Sequence, residues 1–236
     1  MHAFALRPLL AALLAALACA IGTGTLTAQD RPPNVVIVLV DDLGQRDLAC
    51  MGSTVYETPN VDRLAREGIR FTSAYAACAV CSPTRAALLT GRHPARIGIT
   101  DWIHHSSKVA QAAVAAGEYQ PGYDPPAKRP LLTPRNHSFL AHDEVTIAEM
   151  LKPHGFRSAH VGKWHLGPAG WLPTDQGFDV NIGGFQVGSP PSYFDPFTNQ
   201  RFQQIPGLAA RKKGEYLTDR EGDEAAAFID ANADRP

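Results

Sequence analysis

A continuous apolar, β-branched run lies at Asn34–Val40, which reads NVVIVLV. A run of β-branched residues without polar alternation is typical of a strand that is buried on both faces of a parallel sheet. Two further apolar segments, Ile69–Tyr75 and Arg157–Val161, also predict strands.

Helices are predicted between these strands by their start and stop residues. Thr58 can cap a helix that begins at Pro59, and Gly68 can end it. The other predicted helices span 83–89, 146–152 and 218–231. Strands that alternate with helices indicate an α/β fold with a mostly parallel sheet. Two long stretches, 101–136 and 167–206, break the alternation and are predicted to be functional loops.

The N-terminal region has the organisation of a secretory signal. Arg7 precedes an apolar run from Leu9 to Ile21, and small polar residues follow. The run is shorter than the roughly 20 residues that span a bilayer, so we predict a cleaved signal peptide at 1–28 rather than a retained anchor. Lipid attachment at Cys19 is a less favoured alternative. The mature protein is predicted to be secreted or periplasmic, without stable membrane insertion.

Composition and charge narrow the class of protein. The 236 residues carry 22 Lys and Arg against 23 Asp and Glu, which does not favour a nucleic-acid-binding protein. Of the four cysteines, one lies in the predicted leader and three remain. An odd number in an exported protein leaves one thiol without a partner. Spacing alone does not decide whether Cys50 and Cys78 pair.

Two adjacent carboxylates, Asp41 and Asp42, directly follow the first predicted strand. This is the edge at which open α/β sheets bind ligands, and oxygen ligands suit Ca²⁺ or Mg²⁺. Asp-Asp-Leu-Gly is equally good turn chemistry. The pair alone leaves a metal site and a turn both open.

A second group of candidate residues surrounds Cys81. Cys78 and Cys81 form a C-x-x-C pair, which can indicate zinc or redox chemistry, although no second pair of ligands exists for zinc. Pro83 suits the first turn of a helix and so places Cys81 just before the helix N-terminus, where backbone N–H groups favour anions. Arg85 follows about one turn later and can hold an anionic oxygen.

Lys163 and His165 form a third candidate pair, just after the strand predicted at Arg157–Val161. Residues two apart in an extended chain face the same way and could present an ammonium and an imidazole to an anion. A solvated lysine and a packed histidine beside Trp164 is the alternative. His104 and His105 are weaker candidates for a substrate loop.

The segment from Cys81 to Gly91, CSPTRAALLTG, satisfies every fixed position of the pattern C-x-P-x-R-x4-T-G. In this it resembles the sulfatase family, whose signature has this pattern. Asp41–Gly44 and Gly162–Gly167 resemble the family's first metal-binding motif and its Lys/His motif. Glu57–Asn60 with Asp62–Leu64 resembles the helix between them. The resemblance extends over 33–236.

The resemblance implies an alkaline-phosphatase-like sandwich with a mostly parallel central sheet flanked by helices. A formylglycine-generating enzyme would convert Cys81 to formylglycine, and Asp41, Asp42 and residue 81 would bind Ca²⁺, with Mg²⁺ as an alternative. Arg85 and His165 would take part in catalysis and Lys163 would bind substrate. The implied reaction is hydrolysis of a sulfate ester, of a small molecule or a carbohydrate.

Other interpretations remain at this point. One is a phosphoester or phosphonate hydrolase of the same superfamily. Others are a non-catalytic binding protein and a thiol–disulfide protein that uses Cys78 and Cys81. The family's remaining metal ligands and its second histidine and lysine would follow Pro236, so the chain is expected to be a fragment without the C-terminal part, with weak metal affinity and little activity.

Overall fold

The computed structural model describes residues 32–119, 121–124 and 130–235. The signal peptide predicted at 1–28 and Cys19 lie outside these residues. The chain divides into two units at the boundary between Val35 and Val36, and all helices and strands of the described residues lie in the unit that begins at Val36. No helix among the described residues is long and apolar enough to cross a membrane.

Helices predominate in the described part of the chain. The α-helices are α1 (Pro59–Glu67), α2 (Cys81–Thr90), α3 (Pro94–Ile97), α4 (Lys108–Ala116), α5 (Ile147–Leu151) and α6 (Leu217–Ala231). Short 3₁₀ helices lie at Ala49–Met51, Lys152–His154 and Pro173–Gln176.

The strands form two small sheets. β1 (Tyr123–Asp124) and β2 (Thr133–Pro134) pair antiparallel. β3 (Ala159–Val161) and β4 (Val180–Ile182) pair in parallel, with Ala159 opposite Val180 and Val161 opposite Ile182. Parallel strands together with flanking helices confirm the α/β class predicted from the alternating pattern.

Several predicted boundaries are close to the observed ones. α1 begins at Pro59 and ends before Gly68, as predicted. Thr146 caps α5 through a capping box with Glu149, in which each side chain bonds the other residue's backbone N–H. α2 begins at Cys81, two residues before the predicted start, so Cys81 is the first helical residue and not the residue before the helix. α6 likewise begins at Leu217, ahead of the predicted cap at Thr218.

The strands predicted at Asn34–Val40 and Ile69–Tyr75 are wrong for the structure as described. Neither segment pairs with another strand among the described residues. Their side chains are exposed instead of buried: Val38 is 81% exposed and Tyr75 is 90% exposed. An apolar, β-branched pattern shows that a segment suits a strand, but the strand forms only where a neighbour supplies the hydrogen bonds.

Two hydrophobic clusters form the core. The first consists of Ala86, Ile97, Ile99, Ile103, Leu140, Trp164 and Leu166. The second consists of Ile182, Phe185, Val187, Phe197, Ile205, Leu208 and Leu217. Trp164 is 1% exposed, and its indole N–H donates to the carbonyl of Trp171 at 2.8 Å. Truncating such a residue to alanine typically costs about 3–5 kcal/mol, so Trp164 fixes the backbone on both sides of it, at Lys163 and His165.

Candidate active site

Three predicted site residues meet at one carboxylate. Nζ of Lys163 lies 2.6 Å from Oδ2 of Asp41, and Nη2 of Arg85 lies 3.2 Å from Oδ1. Nη1 of Arg85 also donates to the backbone carbonyl of Lys163 at 2.6 Å. The guanidinium of Arg85 therefore joins three segments: the residues that follow the run Asn34–Val40, helix α2 and the loop after β3. The Arg85 side chain is buried and only 10% exposed.

The electrostatics of this cluster favour an ionised Asp41. Partial burial by itself raises the pKa of the Asp41 carboxyl, but hydrogen bonds and charge from Lys163, and then from Arg85, outweigh it and lower that pKa below its ordinary value. Two cations share one carboxylate, so the cluster keeps an excess of positive charge. Such an excess suits the binding of an anion with several oxygens.

Cys81 begins the helix that carries Arg85. Val80 is the N-cap residue in extended conformation, and its side chain does not cap this end. The first backbone N–H groups of α2 therefore have no side-chain acceptor from the N-cap residue, which suits an anion at this position. Cys81 is half-buried and its thiol is free. Cys50 and Cys78 are free as well, so neither forms a disulfide in this structure.

Ser82 joins the start of α2 to the Lys163–His165 segment. Its side chain is fully buried, and Oγ donates to the carbonyl of His165 at 3.0 Å. The same oxygen accepts the backbone N–H of Ile103 at 3.0 Å. Sequence reasoning did not select Ser82, because it occupies a variable place in the pattern, and no sequence signal identified Ile103 as its partner.

His165 is buried and faces the chain, not solvent. It is 2% exposed, and Nε2 lies 3.0 Å from the carbonyl oxygen of Ile103. Because a carbonyl only accepts, Nε2 must carry the proton. Nδ1 is buried without a hydrogen-bond partner among the described residues. Gly188 closes over the ring, since a Cβ there would lie 2.6 Å from its Cε1 atom.

Burial is the main cause that lowers the pKa of His165 to about 4. The hydrogen bond to Ile103 acts in the opposite direction, and the charges of Lys163 and Arg85 lower the pKa further. The imidazole is therefore neutral near pH 7. In this arrangement it is better suited to accept a hydrogen bond at Nδ1 than to donate a proton to a leaving group.

Asp42 lies beside the cluster without joining it. The residue is exposed and has a φ of 55°, in the left-handed region that Asp tolerates better than most residues. No three His, Cys, Asp or Glu side chains come together to hold a metal ion in the described part of the chain. Both oxygens of Asp41 already contact cations. Asp41, Asp42 and residue 81 stay candidate ligands that do not by themselves form a metal site.

A family model described as Sulfatase matches residues 33–236. The chain belongs to the sulfatase family. This confirms the family indicated by the pattern that begins at Cys81.

Curated sulfatases match most of this chain. Arylsulfatase A of Homo sapiens is 40% identical over 180 residues, which are 75% of this chain and 28% of the relative. The N-acetylgalactosamine-6-sulfatase of Sus scrofa is 39% identical over 181 residues, 76% of this chain and 30% of the relative. The chain thus spans somewhat under a third of the length of these sulfatases.

Solved structures support the fold. The structure of Ps i-CgsB in complex with k-i-k-neocarrahexaose has a TM-score of 0.57 and 27% identity, covering 83% of this chain and 40% of that chain. A Bacteroides thetaiotaomicron protein, from a core genetic locus for the metabolism of multiple glycosaminoglycans, has a TM-score of 0.51 and 26% identity. That match covers 83% of this chain and 47% of the other. The neighbours are sulfatases with the alkaline-phosphatase-like fold, as predicted.

Proposed function

We propose that this sulfatase chain supplies the nucleophile and part of the anion site for hydrolysis of sulfate esters, with Cys81 converted to formylglycine. The observation that carries the proposal is the cluster of Asp41, Arg85 and Lys163 on the helix and loop next to Cys81. Its excess positive charge suits the three free oxygens of a sulfate ester. Similar proteins named as sulfatases support the same reaction.

In the proposed reaction the hydrated aldehyde at residue 81 carries two hydroxyl groups on one carbon. One hydroxyl oxygen attacks sulfur and the alcohol leaves, which gives a sulfate hemiacetal on the protein. The second hydroxyl then loses its proton, the aldehyde is restored and sulfate departs. Arg85 and Lys163 stabilise the charge on the sulfate oxygens throughout.

Lys163 and Asp41 hold each other in place for this role. The ammonium is 21% exposed and donates to Oδ2 of Asp41, so its position is fixed. Arg85 is fixed at two points, by Asp41 and by the carbonyl of Lys163. Residues held this way are preorganised for an anion and need little rearrangement when it arrives.

The leaving alcohol needs a proton, and His165 is a poor source for it. The ring is neutral near pH 7, with a pKa of about 4, and its Nε2 proton is engaged by Ile103. We propose that His165 accepts a hydrogen bond at Nδ1 and positions the group bound there, while another group supplies the proton. The family resemblance implied that His165 takes part in catalysis. The role we propose for it is limited to positioning the group bound at Nδ1.

A divalent cation, Ca²⁺ or Mg²⁺, is part of the proposal at Asp41, Asp42 and residue 81, because carboxylate oxygens are the ligands that these ions prefer. It would supply further positive charge next to the sulfate oxygens. The described residues give an incomplete ligand set. No step of the reaction above therefore depends on the ion.

The substrate and compartment are also part of the proposal. A sulfated carbohydrate is the proposed substrate, supported by the neocarrahexaose bound to one similar structure and the galactosamine sulfatases among the relatives. The apolar run at Leu9–Ile21 supports export to a secreted or periplasmic location. The formylglycine-generating enzyme would be met during export, and no nucleic-acid partner is proposed.

The decisive experiment is mass spectrometry of the peptide that contains Cys81. The chain is expressed with its N-terminal region in a host that has the maturation enzyme, with Cys81→Ser as the matched control. An aldehyde at residue 81 of the natural sequence, absent from the control, is the expected result. A plain thiol, or a disulfide with Cys78, would contradict the proposal if a reference sulfatase is modified in the same cells.

A further inference from the structure

A cavity of about 270 Å³ opens beside the candidate active site. The polar residues that line it are His105, Gln111, Ser138, Gln186 and Arg201. Its apolar wall is formed by Ile103, Ala110, Val114 and Pro168. We call it the His105–Arg201 cavity. Its volume is just below the roughly 300–1,000 Å³ of ligand pockets, which suits one small ring.

The cavity is joined to the catalytic segment through Ile103. The carbonyl of this residue accepts the hydrogen bond from Nε2 of His165, and its backbone N–H donates to Oγ of Ser82. Ser82 directly follows Cys81, and His165 follows Lys163 by two positions. One wall of the cavity is therefore built on the same backbone that positions the candidate site.

Charge in the cavity is positive and not compensated. Among the described residues, no acidic one lines it. Nη2 of Arg201 lies 3.3 Å from Nε2 of His105, and its guanidinium lies 5.2 Å from the ring centroid of Phe202. No carboxylate among the described residues forms an ion pair with Arg201. A guanidinium at the mouth of a small pocket, with no paired anion, suits an anionic ligand.

His105 adds a hydrogen-bond donor without a partner. Because a guanidinium only donates, Nε2 of His105 accepts from Arg201 and the ring proton lies on Nδ1. Nδ1 is buried and has no hydrogen-bond partner within the described ranges. Buried polar groups in native proteins are nearly always paired, so this unpaired N–H, on a ring that lines the cavity, can bond a ligand oxygen once the ring turns slightly toward it.

We propose that the His105–Arg201 cavity binds a sugar ring that carries an anionic substituent, next to the sugar whose sulfate ester is hydrolysed. Arg201 pairs with the carboxylate or sulfate of that ring, and Nδ1–H of His105 donates to a ring or hydroxyl oxygen. The amides of Gln111 and Gln186 can bond further hydroxyls, and the apolar wall covers the ring face. The position next to the scissile sugar rests on the proposed function, but binding in the cavity does not.

Binding is measured on the Cys81→Ala chain by ligand-observed NMR titration, so that turnover does not interfere. The probes are methyl β-D-glucuronide, methyl β-D-glucoside 6-sulfate and neutral methyl β-D-glucoside. At least one anionic probe is expected to bind, and the neutral one to bind at least severalfold more weakly. A comparison of the affinities of the two anionic probes shows whether the cavity prefers a carboxylate or a sulfate substituent.

Variants locate the binding. Arg201→Gln is expected to weaken the anionic probe roughly tenfold, since a hydrogen bond to a charged group contributes about 1.5–3 kcal/mol. His105→Ala is expected to weaken it severalfold without changing the thermal midpoint. Arg63→Gln is the matched control, because Arg63 is exposed on α1 and does not line the cavity, and it should leave binding unchanged.

Two results would overturn the assignment. One is equal binding of the neutral sugar. The other is anion binding that Arg201→Gln and His105→Ala leave unchanged, which would place the anion at Lys163 and Arg85. A chain that binds through Arg201 but carries no aldehyde at residue 81 refutes only the proposed function. A chain with the aldehyde and no Arg201-dependent binding refutes only the cavity.

Discussion

The ammonium of Lys163 and the carboxylate of Asp41 lie 2.6 Å apart although 122 positions separate them in the sequence. Asp41 is 40% exposed, so the pair is partly screened by solvent and contributes little to folding. The same pair fixes the cation that the proposed reaction uses. Its removal should therefore affect activity far more than stability.

We expect Asp41→Asn to lower the free energy of unfolding by less than about 1 kcal/mol, as for other exposed ion pairs. The effect should vanish in acid, because the lowered pKa of Asp41 means that its contribution is present above pH 4 and is lost as the carboxyl is protonated. Urea denaturation at pH 7 and pH 3, in the presence of a chelator, measures the loss of unfolding free energy and its disappearance in acid. Asp42→Asn is the control, since Asp42 has no partner among the described side chains; an equal loss in both variants would contradict the assignment.

Ser82→Ala removes only one hydroxyl group but should destabilise the chain strongly. It removes an acceptor from the N–H of Ile103 and a donor from the carbonyl of His165 in a fully buried position. Leaving buried polar groups unpaired costs about 1–3 kcal/mol each, so a loss of roughly 2–4 kcal/mol is expected in urea denaturation. Ser73→Ala, at an exposed position, should be neutral. A loss below 0.5 kcal/mol, on the scale of ordinary surface substitutions, would show that water replaces the hydroxyl.

Acid should destabilise the protein through its buried histidines. His165 has a pKa of about 4 when folded, against 6.5 for the free side chain, so the unfolded state binds its proton first. Stability is fully present above pH 6.5 and declines as the pH falls to 4, by at most about 3 kcal/mol from this residue. Burial lowers the pKa of His160 to about 4 as well, and it adds to the decline.

Denaturation curves at pH 7, 5.5 and 4.5 test this expectation. His165→Asn keeps a residue that tolerates the φ of 58° and removes the titrating group. Its stability should be lower at pH 7 but should fall less steeply toward pH 4.5 than that of the natural sequence. His154→Asn, at an exposed position, should retain the natural slope. Parallel slopes for all three proteins would show that His165 does not control the acid response.

Glu221 should destabilise the protein as the pH rises, which is opposite to the effect of the buried histidines. Burial raises the pKa of its carboxyl, so the folded state holds that proton to a higher pH than the unfolded state. Its unfavourable effect is absent in acid and grows as the pH rises through the folded pKa. We expect Glu221→Gln to stabilise the chain at pH 7 by about 1 kcal/mol and to have no effect at pH 4. Thermal unfolding of this variant beside Glu67→Gln, an exposed position, checks the sign.

The sequence predicted those parts of the site that lie close together along the chain. The pattern alone predicted that Arg85 follows Cys81 by about one turn, although it placed Cys81 just before the helix and not at its first position. Asp41 and Lys163 were each predicted at the end of a strand, but their direct contact depends on how distant segments pack. The burial of His165 agrees with the packed histidine that the sequence left open as an alternative, but its bond to Ile103 is a tertiary feature and was not predicted.

The same limit explains the two strands that the structure lacks. In Asn34–Val40 the side chains have the composition of a buried strand, and in Ile69–Tyr75 they do so to a lesser degree. Burial, however, is a property of what surrounds a segment. β3 was predicted from a weaker pattern and is a strand, because β4 lies parallel to it and completes its hydrogen bonds.

The exposed run Val36–Val40 also bears on how the protein behaves at high concentration. Five consecutive hydrophobic residues with high β propensity, between 42% and 81% exposed, are a template for cross-β association between molecules. Asp42 closely follows the run, is exposed and has no partner among the described side chains, so it places negative charge where a second chain would stack. A residue proposed to serve a metal is thus also expected to act as a gatekeeper against aggregation, and Asp42→Asn should reduce solubility.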